Sequence, residues 1–217
     1  MVFYFTSNVT DPPAAIYMGK DKYENEELIR HGWPEDVWFH VDKLSSAHVY
    51  LRLPKGQPWE DIDEALLGDL AQLTKANSIE GNKKNNLTII YTPWSNLKKT
   101  AGMETGQVTF FRSTMVKRVH VKERDNAIVN RLNKTKVERH PDLAEEKIER
   151  DRESRTEARE VARKLRQAEL KIQEQRKKEA ESRSMSHLFD EEKMVSNKDA
   201  IKGREGRHIN ELEEDFM

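Results

Sequence analysis

The sequence predicts an α+β fold: a single N-terminal globular domain with a mainly antiparallel sheet and flanking helices, placed over residues 1–122. Three observations predict it. Short runs rich in β-branched and aromatic residues recur without a regular βαβ alternation. All four tryptophans (Trp33, Trp38, Trp59, Trp94) and all five tyrosines (Tyr4, Tyr17, Tyr23, Tyr50, Tyr91) precede residue 95. From residue 123 onward charge takes over, and Phe189 and Phe216 are the only Phe, Trp or Tyr side chains. A core can be built before that point and hardly at all after it.

Each element follows from local pattern. Residues 2–6 read as a strand, Asp11-Pro12-Pro13 as a turn, and 16–20 as the return strand of a hairpin. A short helix over 23–31 is stopped by Gly32 and Pro34. Residues 36–41 and 48–53 are strands joined by a turn over 43–46. Over 60–77, Ile62, Leu66, Leu70 and Leu73 share one helical face, and Ser78-Ile79-Glu80-Gly81 ends the helix. Residues 87–92 form an apolar strand closed by Pro93. Gly102 and Gly106 bracket a turn before a strand at 108–111, and a last strand lies over 117–121.

Residues 123–183 hold 18 basic and 15 acidic side chains, no glycine and a single proline, Pro141. This composition predicts a long charged helix or coiled coil, broken at Pro141. Val161, Leu165, Ala168 and Ile172 make a thin apolar seam, too short for a sustained heptad repeat. It suits a protein partner or a weak homodimer. Residues 184–217 carry five basic and nine acidic side chains and read as a disordered acidic tail.

The absence of cysteine excludes disulfides and thiolate metal sites, which suits a reducing compartment. The N-terminus lacks a basic leader and a small-residue cleavage site, and no apolar run reaches the roughly 18 residues of a spanning helix. A cytoplasmic protein is expected, with contact to a membrane surface left open.

Charge is unevenly spread. Between Lys83 and Lys122 eight basic residues stand against one acid, Glu104, inside a chain of net charge −1. Tyr91, Trp94, Phe110 and Phe111 are interleaved with them. Cations neutralise phosphates and flat rings stack on bases, so the segment points to nucleic acid, RNA or DNA. Lys83, Lys84, Lys98, Lys99, Arg112 and Trp94 are the candidate contacts. The stretch from Tyr91 to Gly106 is the most informative. It leaves a strand at Pro93, presents Trp94 and a lysine pair, and turns again at glycines.

His40 and His48 fall on neighbouring strands with Asp36 and Asp42 nearby. A two-histidine, one-carboxylate metal site is conceivable there, but strand alternation favours a polar binding or structural role. Ser45 and Ser46 have no nucleophile elbow around them, and no phosphate-cradling glycine loop is present. No catalytic residue, metal or cofactor is assigned. The alternative is a helical scaffold whose globular domain binds protein or an anionic membrane surface.

Three stretches together resemble the NFACT-R family over about residues 1–120. They are Asp36-Val37-Trp38-Phe39-His40-Val41, Ser46-Ala47-His48-Val49-Tyr50-Leu51-Arg52, and the run from Tyr91-Thr92-Pro93-Trp94 through Lys98-Lys99 to Gly106-Gln107-Val108. The resemblance implies a module that binds RNA or, more broadly, nucleic acid, linked in multidomain relatives to ribosome-associated quality control. It adds His40, His48 and Arg52 to the candidate contacts. The large N-terminal region and helix-hairpin-helix part of those relatives are missing from this sequence, so activities that need them are not expected.

Overall fold

The computed structural model describes residues 1–183. The tail expected over 184–217 lies outside the described residues. Strands β1 (Val2–Ser7) and β2 (Ala14–Gly19) form the expected hairpin, with Val2 opposite Gly19 and Ser7 opposite Ala14. Helix α1 (Lys22–His31) follows, its first turn capped by Asp21, which accepts from the amides of Tyr23 and Glu24. Strands β3 (Asp36–Val41) and β4 (Val49–Arg52) pair antiparallel, and α2 (Glu64–Ala76) begins at a second aspartate cap, Asp63. It starts four residues later than its apolar periodicity suggests, because Trp59–Asp61 makes a separate 3-10 turn. Strand β5 (Leu87–Pro93) leads into a long loop that carries the two-residue ribbon β6 (Leu97–Lys98) and β7 (Thr109–Phe110). Strand β8 (Lys117–Val121) then returns beside β5.

The charged block departs from expectation in its first third. Residues 126–134 form α3 (Asn126–Lys134), again started by an aspartate, Asp125. Its Val129 and Leu132 are buried, and Leu132 joins the core shared with α2. Asp69 of α2 receives Arg131 at 2.6 Å and the Ser7 hydroxyl at 2.6 Å, tying α3, α2 and β1 together. Residues Val137–Arg139 form β9, which pairs with β1. Packing therefore continues past residue 122. A nine-residue amphipathic helix buries its apolar stripe however charged its outer face is. Beyond Pro141, Asp142 caps α4 (Leu143–Arg183), accepting from the amides of Ala144 and Glu145.

The main sheet runs β8-β5-β3-β4-β2-β1-β9, every pairing antiparallel. Residues 1–153 form one compact unit, and the rest of α4 belongs to a second. Alternation gives the sheet two unlike faces. Val37, Phe39, Val41, Val49, Leu51 and Ile89 point to α2 and α3. Trp38, Tyr50, Tyr17 and Ile90 point the other way, beneath Leu28 of α1, Leu97 and Phe110 of the long loop, and Leu143 of α4.

Candidate nucleic-acid interface

The long loop after Pro93 is held by side chains that the sequence offers as ligand contacts. Trp94 comes first. Its Nε1–H donates to the Ile29 carbonyl at 2.8 Å, and its ring lies so close to Gly32 that a Cβ there would sit 2.2 Å from Nε1. Lys147 of α4 stands 4.5 Å from the ring centroid. The ring is half-buried and packed against α1, with its remaining surface in the groove between α1 and the loop. Gly32 is glycine because no side chain fits under it.

Lys99 is likewise committed. An ammonium has three protons, and here each has an acceptor: Glu26 Oε2 at 2.9 Å, the Glu104 carbonyl at 2.6 Å and the Gln107 carbonyl at 3.0 Å. Glu26 also accepts from the Gly106 amide at 2.9 Å, where the backbone has φ of 81°. Only glycine adopts that φ without strain. Burial would push the Glu26 carboxyl up, but the Gly106 amide and the Lys99 ammonium hold it below its ordinary value. Lys99, Glu26 and Gly106 are thus the staple that closes the loop onto α1.

Asn96 closes the loop's other side. Its Nδ2 donates to Thr92 Oγ1 and to the Arg112 carbonyl, both at 2.9 Å, while its Oδ1 accepts from the Arg112 amide at 2.8 Å. The Asn96 carbonyl takes the Phe111 amide at 2.9 Å. With their backbones fixed in this way, Phe111 and Arg112 turn their side chains outward. The Phe111 ring is 65% exposed, and Lys98 Nζ stands 5.9 Å from its centroid. Among the described residues neither Lys98 nor Arg112 has an acidic partner. Sequence reasoning missed Asn96 and Glu26 because neither is a cation or a ring; their partners identify them.

Beneath the loop lie the two histidines. The Trp38 and His40 rings stack at 5.2 Å, and His48 meets both edge-on. Trp38 Nε1–H donates to His48 Nδ1 at 3.0 Å, and His40 Nδ1–H donates to the Val41 carbonyl at 2.7 Å. Burial, with the charges of His40 and Lys99 adding to it, pushes His48 down to about 3. Burial also lowers His40, against the Val41 carbonyl and Asp42. Both rings are neutral packing groups at neutral pH. Among the described residues no group of three or more His, Cys, Asp or Glu is placed to hold a metal ion.

Arg52 faces a buried carboxylate. Its Nε and Nη2 grip Asp36 at 2.9 and 3.1 Å, and Asp36 Oδ2 also accepts from the Tyr17 hydroxyl at 2.6 Å and the Trp33 amide at 2.7 Å. The guanidinium lies 3.5 Å from the Trp33 ring centroid. Burial opposes its charge, but Asp36 and Tyr17 raise its pKa further above its already high ordinary value. Trp33 also meets Arg150 of α4, which pairs with Glu35. Lys83 and Lys84 sit in the turn before Leu87, whereas the loop begins at the other end of β5. Six residue steps of about 3.3 Å separate those ends by roughly 20 Å. The structure does not bring that lysine pair to the loop, and Lys84 instead pairs with Glu80 at 2.9 Å. A cation left outside the candidate set does join the loop's side of the sheet. Arg118 lies opposite Ile90, which lies opposite His40, so all three share the face under the loop.

Comparison with known proteins adds the family. Residues 1–112, from β1 to just past β7 in the long loop, match the NFACT protein RNA binding domain. The chain belongs to the NFACT-R family. It is 57% identical over 201 residues to the Mus musculus protein named Coiled-coil domain-containing protein 25. That match covers 92% of this chain and 97% of the relative. The Danio rerio protein of the same name is 66% identical over 155 residues, covering 71% of this chain and 75% of the relative. A Dictyostelium discoideum homolog is 54% identical over 155 residues, covering 71% and 74%. No helix among the described residues is long and apolar enough to cross a membrane.

Proposed function

We propose that this NFACT-R chain is a non-catalytic nucleic-acid-binding protein, with RNA or DNA as its ligand, and that its long helix meets a protein partner. The observation that carries the first part is the pair of unneutralised cations, Lys98 and Arg112, flanking an exposed ring on a loop stapled at both sides. Cations fixed in this way neutralise phosphates with little ordering cost, and Arg118 extends the strip along β8. The family supports nucleic acid as the ligand class. Lys99, Trp94, Arg52 and the histidines act here as supports of that surface. For the helix, Val161, Leu165 and Ile172 are all exposed, as is Leu170, so the seam has apolar surface to bury against another chain.

The test is fluorescence anisotropy of the full chain with labelled RNA across a salt series. Lys98→Ala/Arg112→Ala is expected to weaken binding to all sequences alike. The slope of log affinity against log salt should become shallower by about 0.7–0.9 for each phosphate that is no longer neutralised. An unchanged affinity and slope in a folded double variant contradicts the proposal.

A further inference from the structure

Between α1 and the long loop runs a groove of about 400 Å³, within the range of roughly 300–1,000 Å³ typical of small-ligand sites. Ile29 and Leu97, both buried, give it an apolar lining, with Trp94 and Phe111 contributing aromatic surface. The one carboxylate in its lining, Glu26, is already neutralised by Lys99. We infer that this groove receives a single unstacked nucleobase, stacked on Phe111, so that the strand recognised is single-stranded. The inference rests on the nucleic-acid reading above and deepens it.

Three features select a base over another apolar occupant. The backbone that carries the exposed Phe111 ring is fixed through its own amide and that of Arg112, both bound by Asn96, so the ring is held at the groove before any ligand arrives. Such preorganisation favours a flat, rigid partner. Lys98, with no acidic partner among the described residues, stands 5.9 Å from the ring centroid, and Arg112 follows Phe111 in the chain, so a phosphate beside a stacked base meets a cation. The groove holds about 400 Å³ and its lining also includes the polar Arg30 and Ser95, which suits one planar group and not a helix or an extended apolar segment. Bases inside a duplex have both faces covered by their neighbours and cannot enter.

The experiment uses the full chain and three ligands of one length: a ten-nucleotide single-stranded RNA, the same strand with its central bases abasic and so equal in charge, and the matching duplex, which carries the greater charge density. The wild type is expected to bind the single strand at least about five-fold more tightly than the abasic strand, the lower bound for losing one stacked base. Phe111→Ala should remove that preference while leaving the salt slope and the abasic affinity unchanged. Ser95→Trp, which plugs the groove from an exposed position, should do the same, and an unaltered Tm checks that both variants are folded. Equal binding of the three ligands, still weakened by Lys98→Ala/Arg112→Ala, overturns the groove and leaves the phosphate surface standing. Binding to none of them overturns both.

Discussion

The two faces of the sheet are built from different chemistry. Under α2 and α3 the contacts are mainly aliphatic, with Leu66, Leu70, Leu73 and Leu132 against Val37, Val41, Leu51 and Ile89, and the stacked rings of Phe39 and Tyr91 set among them. Under α1 and the long loop they are aromatic and polar: a ladder of Trp38, Tyr50, Tyr17 and Tyr4 crosses four strands, and Asp36, Arg52 and His48 are hydrogen-bonded into it. Aliphatic burial is non-directional and stabilises the fold without fixing any one side chain. Hydrogen-bonded rings have direction, so they fix where the loop lies. One face supplies stability, and the other supplies position for the surface proposed to bind nucleic acid.

Breaking the aliphatic face should have the largest effect. Truncation to residues 1–122 removes Val129 and Leu132, the Arg131–Asp69 pair and β9. The two side chains alone are worth about 3–6 kcal/mol, against a total of roughly 5–15 kcal/mol for a domain of this kind. A 1–153 fragment is expected to melt cooperatively by calorimetry and a 1–122 fragment not to. Cooperative melting of both at similar temperature would show that α3 adds little to that face.

On the polar face, Arg52→Ala strands the fully buried Asp36 carboxylate without its cation. The expected loss is about 3–5 kcal/mol in urea unfolding, the range for leaving a buried charge unpaired. Arg52→Lys should recover only part, since an ammonium cannot make the bidentate grip. A loss below about 1 kcal/mol would mean that Asp36 is adequately held by Tyr17 and the Trp33 amide.

The smallest effect sharpens the comparison through pH. His48 is neutral in the fold with its pKa pushed down to about 3, and His40 is shifted the same way. Unfolded histidines take up protons below pH 6.5, roughly their free value, while the folded ones do so only at lower pH. Stability from this pair is therefore whole above that pH and falls as pH drops below it, by up to about 1.4 kcal/mol per pH unit for each ring. His48→Asn keeps an acceptor for Trp38 and should flatten the slope of unfolding free energy between about pH 6.5 and 5. An unchanged slope would place the protonation elsewhere.

Much of the fold was readable along the chain. The turn at Pro12, the stops at Gly32 and Pro93 and the one-sided spacing of Leu66, Leu70 and Leu73 are local signals, and the elements they imply are present with ends shifted by a few residues. Strand β9 was not readable. Its three residues, Val137 to Arg139, are exposed, and they are a strand because β1, more than 130 positions earlier, offers an open edge. Val129 and Leu132 were overlooked for a related reason: among so many charges, two buried side chains leave little signal in composition.

The candidate interface divides along the same line. Sequence determined which residue types gather between Lys83 and Lys122, because charge and aromaticity belong to the residues themselves, and the recognised stretches carried the family. Tertiary structure alone decided which cations are spoken for. Lys98 and Lys99 are adjacent and chemically identical, yet Lys99 is consumed by Glu26, 73 positions away, while its neighbour stays open to solvent. Arg52 and Arg112 differ in the same manner: one faces a buried aspartate across a strand pair, and the other leaves a loop that Asn96 has fixed. A side chain's chemistry is local, but its availability depends on what the fold brings within about 3 Å of it, and that distance is not written in sequence order.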